Sequence, residues 1–122
     1  MDTVWTTNIY NSIKRFSDIN AQRRIWLGKS PTESSSFTED ICMLYDDYAF
    51  EDFLSDENWV KTKLDIELRR KLLAFNEAVN AYGDKPTDIE ILEDPEWHKV
   101  VDLAKEIIKY WNNSNNNPSN NM

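Results

Sequence analysis

The chain has one cysteine, one histidine and two glycines, and between Lys29 and Lys61 it has no lysine or arginine at all. Each shortage excludes something. A single Cys42 forbids an internal disulfide and a thiolate metal cluster within the chain, and its neighbours Ile41, Met43 and Leu44 predict a buried, inert thiol. With His98 as the only imidazole, any Ser-His-Asp or Cys-His relay would have to run through it. It sits in the second turn of the last predicted helix beside Trp97, where a partly exposed surface histidine is expected. Gly28 and Gly83 are too few and too far apart for a phosphate-cradling glycine loop. Two glycines and four prolines also leave little turn chemistry for a many-stranded sheet, so helices are expected. No apolar run approaches the roughly 20 residues that span a bilayer. Met1 is followed by Asp2 and polar residues rather than a basic leader, which predicts a cytoplasmic protein.

What the cation-free window does contain is acid. Glu33, Glu39, Asp40, Asp46, Asp47, Glu51, Asp52, Asp56 and Glu57 supply nine negative charges, more than the net charge of −8 of the whole chain. The acidity is therefore regional. Phe37, Tyr45, Tyr48, Phe50, Phe53 and Trp59 lie in the same window, and rings interleaved with carboxylates suit a contact surface for a basic partner. A solvated acidic face is the plainer alternative. Phosphate ligands would be repelled, which argues against nucleic acid or an anionic membrane as direct partner.

At 122 residues the chain is long enough for one domain with its own core. Apolar spacing predicts a first helix over Thr3 to Phe16, with Val4, Ile9, Ile13 and Phe16 near one face. Ser17 or Asp18 can cap a second helix ending at Leu27 and stopped by Gly28, and 29–36 reads as a loop. A third helix is expected with Thr38 as N-cap and Phe37 stapling onto Cys42. Its buried face would be Ile41, Leu44, Tyr45 and Tyr48, with Asp40, Asp46 and Asp47 on the others. Ala49 to Lys63 reads as a loop with short helical turns. The fourth helix runs from a cap at Asp65 to Gly83, with a narrow seam of Leu68, Leu72, Phe75, Val79 and Tyr82. After a turn and a short helical stretch over Asp88 to Leu92, Asp94-Pro95 opens the last helix. Its face is Trp97, Val100, Val101, Ala104, Ile107, Ile108 and Trp111. The expected architecture is an all-α single-domain bundle of about five helices over 1–111, with a disordered Asn-rich tail over 112–122.

Paired carboxylates are the only catalytic raw material. Asp46-Asp47 and Glu51-Asp52 have the hard oxygens for Mg²⁺ or Ca²⁺, yet nothing from Asp40 to Glu57 follows an EF-hand order. No catalytic, cofactor-binding or metal residue is expected, and binding is the reading the residues favour. Nuclease sites are basic because they hold phosphate, so an acidic helical plug is a sensible inhibitor.

Three segments carry a resemblance: Ala21-Gln22-Arg23-Arg24-Ile25-Trp26-Leu27, Met43-Leu44-Tyr45-Asp46-Asp47-Tyr48, and Ile91-Leu92-Glu93-Asp94-Pro95-Glu96-Trp97 running on through Val100-Val101. In this order, over roughly residues 9 to 111, the chain resembles a family of small acidic all-helical bacterial proteins. That family includes immunity proteins of contact-dependent growth-inhibition and polymorphic toxin systems. The resemblance implies a cytosolic protein that binds and blocks one cognate toxin without catalysis. The residues themselves suggest a basic nuclease domain as partner, with Asp46, Asp47, Tyr48, Glu51, Asp52, Asp56 and Glu57 as the contact set. An acidic helical adaptor for a basic partner unrelated to toxins is the alternative, and a small metal-dependent enzyme the third.

Overall fold

The structure, a computed structural model, describes residues 3–56, 66–83 and 85–113. Among these the chain is all-α. Its helices are α1 (Thr3–Phe16), α2 (Ile19–Trp26), α3 (Phe37–Cys42), α4 (Phe50–Ser55), α5 (Ile66–Tyr82), α6 (Asp88–Glu93) and α7 (Pro95–Asn112), with a π-helical turn at Met43–Asp47. Among the described residues seven helices stand where about five were expected. The extra two, α4 and α6, are six-residue pieces in stretches whose spacing showed only helical turns. Glu57, Trp59 and Asp65 lie outside the described residues, as does the Asn-rich segment from 114 onward.

Local chemistry sets most of the boundaries. Asp18 accepts the Ala21 amide (3.0 Å) to open α2. Gly28 closes it at φ 73°, and the Lys29 amide returns to Arg24 O (2.8 Å). Thr87 caps α6, and Asp94 caps α7 directly before Pro95. Helix α3 differs by two residues from expectation. Ser36, not Thr38, accepts the Glu39 amide (3.1 Å), so Phe37 is the first helical residue and faces the core.

Helix α7 is the central element: α1 and α5 pack along it, and α6 meets its start. Leu68, Leu72, Phe75 and Val79 of α5 are buried, as the seam predicted, with Tyr82 half-buried at its end. In α1, Ile9, Ile13 and Phe16 are buried, but Val4 faces solvent and Trp5 takes the inward place beside it. The last helix extends through Asn112, whose side-chain oxygen accepts a hydrogen bond from the Tyr10 hydroxyl (2.5 Å). The first residue assigned to the tail is therefore part of the fold.

The densest part of the core is a ring cluster around Trp97. Its indole lies 5.2 Å from Phe37, 5.4 Å from Tyr82, 6.0 Å from Phe16 and 6.1 Å from Trp26. These separations suit edge-to-face and tilted aromatic packing. Gln22, fully buried, links three helices through this cluster. Its amide nitrogen donates to Arg15 O (3.2 Å) and Phe16 O (3.1 Å) at the end of α1, and its oxygen accepts from Trp97 Nε1 (2.9 Å). Asp40 is the second buried polar group, and it corrects the expectation that it lies on an outer face. It accepts from Trp26 Nε1 (2.7 Å) and Ser35 Oγ (2.7 Å), and Arg15 sits 3.6 Å away. A buried carboxylate is tolerable only with such partners.

Removing the amide of Gln22 leaves the Trp97 N–H without its acceptor and the Phe16 carbonyl without its donor in a buried site. Gln22→Leu should therefore cost about 2–3 kcal/mol in urea unfolding, more than loss of the bonds alone.

One contact contributes to the pH dependence at both ends of the scale. The Glu96 amide and the Tyr82 hydroxyl (2.8 Å) both donate to Asp94, and with Lys85 and His98 nearby they hold its carboxyl below the ordinary aspartate range. Burial, then the hydrogen bond to Asp94 and its charge, push the Tyr82 phenol above its usual value. For Asp94, stability is present above the unfolded aspartate value and lost as pH falls through the lower folded one. For Tyr82 it is present below the unfolded tyrosine value and lost as pH rises past it. Asp94→Asn should shrink the acid fall in the urea midpoint, and Tyr82→Phe the alkaline fall. Unchanged limbs in both variants would place the pH dependence elsewhere.

Candidate acidic binding site

From Met43 to Ser55 the chain is built so that its rings turn inward and its acids point out. After α3 the Tyr48 amide reaches back five residues to Met43 O (2.9 Å), which widens the helix into a π-turn. Leu44 at its centre is fully buried, and the Tyr45 hydroxyl donates to Asn76 Oδ1 on α5 (2.6 Å). Ala49 then takes the left-handed conformation at φ 48°, ψ 55°, reversing the chain into α4. In α4, Phe50, Phe53 and Leu54 share the buried face, so Glu51 and Asp52 can only face solvent.

This geometry overturns part of the sequence reading. Phe37, Phe50 and Phe53 are not contact anchors; they are fully or nearly fully buried. Phe53 meets Trp5 edge-on at 5.3 Å, and Phe50 meets Tyr45 at 5.5 Å and Phe75 at 6.2 Å. Tyr45 is held by burial, and the Glu51 charge near it adds to the upward shift of its phenol. The exposed side of the segment is mainly ionic, with Met43 as its one large apolar side chain among the described residues. Cys42 also departs from expectation, with its thiol exposed rather than buried. The reason is the same: Phe37 and Asp40, not Ile41 and Cys42, take the inward positions of α3.

Of the predicted contact set, Asp46, Asp47, Glu51 and Asp52 are exposed and form no ion pair among the described residues. Other carboxylates behave differently: Glu33 pairs with Arg15, Glu67 with Arg70, and Glu96 with Lys99. Asp56 is half-buried at the end of α4, where Arg69 donates to Leu54 O (2.9 Å). Glu57 lies outside the described residues. Tyr48 is half-buried; its carbonyl accepts from Trp5 Nε1 (2.6 Å), which pins the backbone between the π-turn and α4 to α1.

Tyr48 also edges a cleft of about 450 Å³. The cleft lies between α1, the 29–36 connection and the α3–π-turn segment, and Asn11, Arg15, Glu39 and Met43 share its lining. Sequence reasoning missed it. Glu39 and Met43 belong to the acidic window, but Asn11 and Arg15 come from a helix far away in the chain and carry no local signal.

Two further clefts lie on α5. One of about 520 Å³ runs between α5 and α7, with Ala78, Ala81, Val100 and Leu103 beneath a rim of Lys85, Asp94, Glu96 and Lys99. The other, of about 350 Å³, lies beside Cys42 and Asn80. Neither gathers a nucleophile with a base. Among the described residues no group of three or more His, Cys, Asp or Glu side chains could hold a metal ion. His98, half-buried as the sequence suggested, is placed with its Nε2 2.7 Å from Leu92 O.

The left-handed Ala49 holds the acidic turn in a conformation that costs an L-residue about 1–2 kcal/mol. Glycine removes that strain and gives back about 0.4–1 kcal/mol of unfolded-chain entropy. Ala49→Gly should therefore stabilise the fold by about 0.5 kcal/mol, and Ala49→Val should destabilise it, both read by urea denaturation. Among the described residues no helix is long and apolar enough to cross a membrane. Compared with known proteins, the chain matches no protein-family model, no curated protein and no solved structure.

Proposed function

We propose that this chain is an immunity protein that captures a cognate antibacterial toxin in the cytoplasm and blocks it by direct contact. Its partner in this reading is a basic domain, most naturally a nuclease, and the protein performs no catalysis. One observation carries the proposal: Asp46, Asp47, Glu51 and Asp52 are exposed and form no ion pair among the described residues. They stand on a segment fixed by Leu44, Tyr45, Phe50 and Phe53 in or against the core. Like charges kept together without cations oppose folding slightly, and they gain only when a cationic surface arrives. Fixed carboxylates need little ordering on contact, so they can speed encounter and set register.

The resemblance carried by Gln22, Trp26, Tyr48, Asp94 and Trp97 adds to this reading. An acidic adaptor for a basic partner unrelated to toxins would use the same surface, and the test separates the two. The chain is co-expressed with each toxin domain encoded beside it, and growth and complex formation are scored. Protection by the wild type is expected. The Asp46→Lys, Asp47→Lys, Glu51→Lys, Asp52→Lys quadruple variant should lose protection, with affinity weakened about 100-fold or more. Capture of a basic partner without protection would leave the adaptor. Protection unaltered by the charge reversal would overturn the acidic site.

A further inference from the structure

Beside the exposed acids, the 450 Å³ cleft has a chemistry of its own. Its one cation is already neutralised: Arg15 lies 3.0 Å from Glu33 and 3.6 Å from Asp40. Asp40 is filled as well, by Trp26 and Ser35. What remains is acceptor-rich. Among the described residues the exposed Glu39 carboxylate forms no ion pair and the Tyr48 hydroxyl has no hydrogen-bond partner. The thioether of Met43, an exposed large apolar side chain, lies between them in the chain and lines the same cleft.

We infer that this cleft receives an arginine side chain of the basic partner. The inference rests on the toxin-capture reading and deepens it, because it names the anchor that the buried rings of the acidic segment cannot supply. A guanidinium presents donors in a planar fork that suits a carboxylate, and its flat face stacks on an aromatic ring. Its methylene stem needs apolar cover, which Met43 and Tyr48 offer. An ammonium satisfies the charge but neither the fork nor the stacking, so the cleft distinguishes arginine from lysine. The exposed carboxylates of the π-turn and α4 do not. Docked there, the partner would have one residue fixed in a half-enclosed pocket and its remaining cations spread over Asp46, Asp47, Glu51 and Asp52. A central anchor inside a charged rim is the arrangement that gives protein interfaces most of their affinity.

The test uses the full chain and two probes, acetylated tetra-arginine amide and tetra-lysine amide, titrated into isotopically labelled protein and followed by amide chemical shifts. Saturable shifts at Asn11, Glu39, Met43 and Tyr48 are expected with the arginine peptide, at least about fivefold tighter than with lysine. Glu39→Gln, an exposed substitution, should weaken arginine binding to the lysine level and leave thermal unfolding unchanged. Tyr48→Leu should do the same for arginine while leaving lysine binding as it was. Equal affinity for the two peptides, or shifts confined to Glu51 and Asp52, would overturn the arginine pocket while leaving toxin capture by the acidic strip intact. Failure of the strip itself is read separately, by loss of toxin protection in a chain whose cleft is unaltered.

Discussion

The indole N–H of Trp97 is buried, and Gln22 is the residue that answers it. Much else follows from that pair. The same glutamine ties down the last carbonyls of α1, so α1, α2 and the start of α7 are fixed by one amide. The indole then serves as the surface on which Phe16, Trp26, Phe37 and Tyr82 assemble from four other helices. Arg23 adds a bond to Leu92 O (3.2 Å), joining α2 to α6. Because Phe37 is part of this assembly, the entry of α3 is set by it, and through α3 the direction of the acidic segment that follows.

The acidic segment owes its rigidity to contacts made on its inward side. Leu44, Phe50 and Phe53 are fully buried, and the Tyr45 and Tyr48 positions are tied to α5 and α1 by hydrogen bonds. Side chains that contribute binding area in many interfaces are used here to hold a backbone that displays charge. In the proposed capture, steering and register would come from the exposed acids, and apolar anchoring from beside them, where Met43 and Tyr48 meet the cleft.

How much of this could be read beforehand depended on the range of the chemistry involved. Asp94-Pro95 opens α7 as its residues dictate, and the seam from Leu68 to Val79 is buried as spaced, because capping and helical periodicity act within one turn. Thr38 reads as the cap of α3 from local sequence, whereas Ser36 takes that place as Phe37 is buried, a tertiary effect. That shift, followed by the five-residue turn at Met43–Asp47, is why Asp40 went in and Cys42 came out. Alternating rings and acids in Tyr48 to Phe53 read equally well as a surface or as a very short amphipathic helix, and only the core on the other side decides. The cleft was illegible for a simpler reason, since it joins α1 to a segment some thirty residues later.

The exposed thiol of Cys42 has a practical consequence. It is the sole cysteine of the chain, and it stands one helical turn before Asp46. A maleimide dye attached there becomes a fluorescent reporter placed next to the carboxylates, with no competing attachment point. Arrival of a cationic molecule could then be timed by stopped-flow emission, giving association rates at several salt concentrations from one labelled preparation.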